Sequence, residues 1–171
     1  MTILILLLLI AALWDLWKGR VPNQLIILGL FLGLGRFLLT QETTQIKAYL
    51  PGIVIPPLLF FPLFQTGTLG AGDIKLFSLI GCFLSIKDAS RCIAAAFFIA
   101  AIHSLILLLL RKNLIKRMQY ALAYLSYCFR KKRIMAYYPE GNKGEVMRRE
   151  SGIRFTISIL IGTVLVTGGV I

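Results

Sequence analysis

Long apolar runs recur along this chain, parted mostly by short polar connections, and they leave few folds open to it. Met1–Trp14, Pro22–Leu39, Tyr49–Phe64, Leu69–Ile86, Cys92–Leu110 and Ile153–Ile171 are each dominated by Leu, Ile, Val, Phe and Ala. A soluble domain of 171 residues has too much surface to hide 58% hydrophobic residues at a mean hydropathy of +0.83, because small domains expose a large share of their chain. A spanning helix needs about 20 mostly apolar residues, and no run shows the two-residue alternation of a barrel strand. The expected fold is all-α: a polytopic membrane bundle of about six transmembrane helices, one domain over residues 1–171. The first run has no Lys or Arg ahead of it and no persuasive cleavage site before Trp14, so it is read as a span rather than a secretory signal.

The formal charge of +12 is explained by topology, and no nucleic-acid partner is expected. If the runs alternate across a bilayer, one side receives Arg36, Lys47, Lys87 and Arg91, and every other Lys and Arg of the 19 falls on the opposite side. The basic side is predicted to be cytoplasmic, which puts both termini outside. Residues 111–134, within a basic connection at about 111–150, place Leu114, Met118, Leu122, Leu125 and Phe129 on one helical face amid Lys and Arg. That pattern predicts a helix lying on the anionic inner leaflet, with membrane lipid as its partner.

Against this background the acids stand out. There are seven, and two of them occupy apolar ground on the same predicted face. Asp15 closes the first run in "LWDLWKGRVPN", and Asp73 opens the fourth in "GAGDIKLF". Asp15 also suits a bland interfacial role beside Trp14, Trp17, Lys18 and Arg20, and Asp73 suits a helix cap. A cap alone needs neither Gly70 nor Gly72, which are read as leaving room for a substrate backbone. The run ahead of Asp15 rises about 21 Å and Ile74–Ile86 about 20 Å, short of a hydrocarbon core of about 30 Å. Carboxylates at membrane depth need water or partners, so the two are expected to share a wet cavity. Two close carboxylates do not both ionise readily. The ionised one can then activate a water while the protonated one polarises a carbonyl, as in aspartic proteases. No metal or other cofactor is expected.

The two segments resemble those of the type IV prepilin peptidase family. "GAGDIKL" is similar to its GxGD motif, often GxGDxKL, through Gly70, Gly72, Asp73, Lys75 and Leu76. "DLWKGRVPN" is similar to its first-aspartate segment through Asp15, Val21, Pro22 and Asn23, and Gly81 falls where the family tends to have a glycine. The resemblance implies an intramembrane aspartic endopeptidase of a prokaryotic cell membrane. It would cleave the short leader from type IV prepilins or pseudopilins on the cytoplasmic side, after a glycine, with Asp15 and Asp73 as the catalytic pair. Larger relatives carry a four-cysteine cytoplasmic domain and N-methylate the product; this chain has three scattered cysteines and resembles the short forms found with tight-adherence (Flp) pili, so peptidase activity alone is implied. Near the C-terminus many relatives have an Ala-Pro pair where this chain reads "IRFTISILIG".

The other polar features have plainer explanations. Cys82, Cys92 and Cys128 lack metal-site spacing and are read as free thiols. His103 reads as a packed or water-contacting residue, Asp88 as a turn or cap, and Glu140, Glu145 and Glu150 as solvated loop. Pro51, Pro56, Pro57 and Pro62 predict a kinked third segment. The acid pair is also compatible with a proton- or cation-coupled transporter, or with a noncatalytic pilus-assembly subunit. A transporter would be favoured by paired inverted repeats, which are not visible, and a noncatalytic subunit by loss of one motif aspartate.

Overall fold

The computed structural model describes residues 1–40, 43–65, 69–110 and 154–170, with residue 119 alone between the last two segments. Among them every regular element is helical, as expected: α1 (Thr2–Lys18), α2 (Asn23–Thr40), α3 (Thr43–Gln65), α4 (Ala71–Phe83), α5 (Ile86–Leu110) and α6 (Phe155–Thr167). The basic amphipathic stretch, Cys128 and the three glutamates after residue 139 lie outside the described residues.

Local chemistry sets the helix ends. α1 stops at Gly19, whose φ of 66° is the left-handed cap that glycine adopts without strain, and its N–H donates to the Asp15 carbonyl at 2.9 Å. Lys18 lies 4.6 Å from the centroid of the Trp14 ring, a cation–π contact in the last turn. α5 begins with a reciprocal cap. The Ser85 hydroxyl donates to Asp88 Oδ2 at 2.8 Å, and the Asp88 N–H donates to Ser85 Oγ at 3.2 Å. Asp88 is thus the cap residue its position suggests.

α4 is the centre of the bundle. Leu76, Phe77, Leu79, Ile80 and Cys82 are wholly buried, against Leu4, Leu8 and Ala11 of α1 and Cys92 and Ala96 of α5. Helix directions follow from paired contacts. Asn23 and Gly33 of α2 meet Lys75 and Cys82 of α4, so these two run parallel. Gly52 and Phe60 of α3 meet Gly81 and Phe77 of α4, so these run antiparallel. At Gly52 and Gly81 the two backbones touch: a Cβ on Gly81 would overlap the Gly52 carbonyl. α3 remains helical through Pro51, Pro56, Pro57 and Pro62. Gly162 of α6 also lies against the backbone of α5, where a Cβ would stand 2.8 Å from Ala96 N. Cys82 and Cys92 are buried free thiols.

Only one described helix is long and apolar enough to cross a bilayer on those grounds, Ile86–Leu107 within α5. Asn23–Gly35, Tyr49–Gln65 and Phe155–Thr167 are apolar but shorter. Among the described helices α4 and α6, of 13 residues each, rise only about 20 Å, whereas α2 and α3 run to 18 and 23 residues. The outer faces are nonetheless rich in large apolar side chains, among them Phe31 (76% exposed), Leu58 (73%) and Phe98 (69%).

Candidate active site

Helix directions bring the C-terminal end of α1 together with the N-terminal ends of α2, α4 and α6. The left-handed stop at Gly19 leaves Asp15 in the last turn of α1, half-buried. Across from it, α4 opens at Gly70 in extended conformation (φ −75°, ψ 147°), and Asp73 lies in the first turn, also half-buried. Its carboxylate folds back over the helix start and accepts a hydrogen bond from the Gly70 backbone. This is the backward-reaching half of a capping box, so the structural role is real. It does not use up the carboxylate, because an ionised one offers about four acceptor positions.

The third component comes from α6. Phe155 belongs to a cluster of four rings: Phe60 of α3, Phe77 of α4 and Phe97 of α5 complete it, with neighbouring centroids 5.1 to 6.0 Å apart. Offset and edge-on ring pairs of this kind are favourable and geometrically specific. Phe77 follows Asp73 by one helical turn, so the cluster floors the site. It also seats the start of α6, where Thr156, 2% exposed, donates its hydroxyl to Asp15 Oδ2 at 2.9 Å. The same hydroxyl interacts with the Asp73 carboxylate, which also feels the charge of Asp15. The two sequence-predicted aspartates are therefore brought together, around a threonine the sequence did not single out. A Thr in an apolar helix is a poor signal, since its hydroxyl usually bonds its own helix: Thr163 donates to the Ile159 carbonyl at 2.8 Å and Thr167 to that of Thr163 at 2.7 Å.

The supporting residues also meet. Lys75 Nζ donates to Asn23 Oδ1 at 2.7 Å, tying the first turns of α2 and α4 together. Pro22 immediately precedes α2, and its carbonyl accepts from Leu25 N–H at 3.2 Å. The glycines do something other than the substrate-approach role expected of them. A Cβ on Gly72 would stand 3.3 Å from Val21 Cγ2, and one on Gly70 would stand 2.9 Å from Asp73 Oδ2. Gly72 lets the α1–α2 connection pack on α4, and Gly70 makes room for the Asp73 carboxylate. Both spaces are filled by the chain itself.

Asp88 caps the opposite end of the bundle and His103 is exposed on α5, so neither joins the pair. Among the described residues no three of His, Cys, Asp and Glu gather as metal ligands would. The family model described as the type IV leader peptidase family matches residues 2–109. That span holds both aspartates and stops before α6. No curated protein and no solved structure matches the chain significantly.

Proposed function

This chain belongs to the type IV leader peptidase family, and from that premise we propose that it is an intramembrane aspartic endopeptidase with Asp15 and Asp73 as its catalytic pair. The observation that carries the proposal is the meeting of these two carboxylates, from α1 and α4, at one end of the bundle. Like charges held together favour a state in which the pair shares one proton. The ionised member takes a proton from a water as the water oxygen adds to the scissile carbonyl carbon. The protonated member gives its proton to the carbonyl oxygen. When the C–N bond breaks, the amine nitrogen gains a proton, the carboxyl product forms, and the pair returns to its starting state. Neither a metal nor an organic cofactor is required.

The substrate class is a type IV prepilin or pseudopilin, cut between leader and hydrophobic helix. The proposed setting is a cell membrane crossed by six helices of a single domain, with the acid end cytoplasmic. Outward-facing apolar side chains on α2, α3 and α5 support embedding, and the uneven spread of Lys and Arg supports the orientation. Leader removal is the only activity assigned, without N-methylation of the product.

The experiment is co-expression with candidate prepilins, read by mass spectrometry. The wild type removes a mass equal to the leader and adds no methyl group. Asp15→Asn and Asp73→Asn each abolish the shift while accumulating in the membrane, and Asp88→Asn cleaves normally. Wild-type processing by either motif variant refutes the mechanism.

A further inference from the structure

We infer that Thr156 is a positioning residue for the acid pair, its single hydroxyl shared between Asp15 and Asp73. The inference rests on the aspartic reading above. It concerns a residue outside the stretch matched by the family model, which ends at residue 109.

A threonine hydroxyl has one proton to give and two lone pairs to offer. In this structure the hydroxyl lies 2.9 Å from Asp15 Oδ2 and also interacts with the Asp73 carboxylate. Two ionised carboxylates would compete for its one proton and leave the loser facing an oxygen. One ionised and one protonated acid satisfies all three groups, the hydroxyl donating to the first and accepting from the second. Thr156 thereby favours the singly protonated state that hydrolysis needs.

Three further observations single out this threonine. It is 2% exposed, so bulk water does not compete for its hydroxyl. It stands in the first turn of α6, where no preceding helical carbonyl is available, whereas Thr163 and Thr167 bond their own helix. Its neighbour Phe155 is held by Phe77 of α4 and Phe97 of α5, which fixes where the hydroxyl sits.

The competing explanation is that Thr156 only packs α6 against α1. Conservative substitutions separate the two, using the full chain in membranes at matched protein levels and a prepilin substrate at several concentrations. Thr156→Val keeps the shape and loses the hydroxyl; Thr156→Ser keeps the hydroxyl and loses a methyl group. Val is expected to lower kcat about ten- to a hundredfold with KM little changed, the size of a lost hydrogen bond to a charged group. Ser is expected to stay within about threefold of wild type, as loss of one methyl group alone would allow. Near-normal turnover by Val, or equal damage from Ser and Val, overturns the inference. If Val does not accumulate, Thr156→Ala is compared with Ser, since those two differ only in the hydroxyl. Accumulation of Ser alone makes the hydroxyl a structural tie and also overturns it. Asp15→Asn and Asp73→Asn run alongside: activity in either defeats the aspartic reading itself, whereas dead aspartate variants beside a normal Val variant defeat only the role of Thr156.

Discussion

Replacing Gly70 with alanine should impair cleavage without unfolding the protein. The backbone at Gly70 (φ −75°, ψ 147°) suits any L residue, so alanine brings no conformational strain. Its methyl carbon, however, would stand 2.9 Å from Asp73 Oδ2, several tenths of an ångström inside ordinary contact. The carboxylate is the part free to move, and moving it breaks its hydrogen bond from the Gly70 backbone. A hydrogen bond to a charged group contributes about 1.5–3 kcal/mol. Lost at the reacting carboxylate, that corresponds to a rate reduction of roughly 10- to 150-fold. Gly72→Ala is the internal control. Its methyl group would lie 3.3 Å from a Val21 methyl, which can give slightly, so cleavage should fall by no more than about threefold, as for mild overpacking. The assay is a time course of leader removal at matched membrane levels, with thermal unfolding in detergent measured on the same samples. Turnover by Gly70→Ala within about twofold of wild type refutes the account, as does greater damage from Gly72→Ala.

Other expectations follow from single contacts. Lys75→Met removes the 2.7 Å bond to Asn23 and should slow cleavage by about two- to tenfold; adding Asn23→Ala should cost little more, because the two act as one unit. Ser85→Ala removes the α5 cap and should lower stability by about 1 kcal/mol, seen as an earlier melt in detergent, with cleavage at matched levels unchanged. Membrane-impermeant labelling of single cysteines replacing Lys18 and Lys87 should react from opposite sides of the membrane; labelling of both from one side contradicts the alternating arrangement.

Much of the site was legible because its chemistry is local in sequence. Asp15 and Asp73 were visible as acids in apolar surroundings, and Asp88 as a turn or cap residue. What depends on packing was not legible. Thr156 meets Asp15 across 141 positions of sequence, and a threonine in an apolar helix gives no sign of where its hydroxyl points. Gly70 and Gly72 were recognisable as necessary, but their neighbours, Asp73 itself and Val21, appear only once α1, α2 and α4 are assembled. Hydropathy located every apolar run, but the runs Leu69–Ile86 and Ile153–Ile171 hold helices of only 13 residues each, since hydropathy cannot distinguish a stretch facing lipid from one, like α4, surrounded by other helices.

The backbone contact between Gly52 and Gly81 works as a depth gauge. Gly81 lies about 12 Å along α4 from Asp73, so seating the two glycines fixes how far that carboxylate projects at the other end of the bundle. A slip of α4 past α3 by one turn would carry Asp73 about 5.4 Å, well beyond the 2.9 Å over which Thr156 holds Asp15. Because the gauge is made of main chain, no side chain elsewhere can stand in for it. The alignment of the acids is thus set far from the acids, where the backbones of α3 and α4 meet.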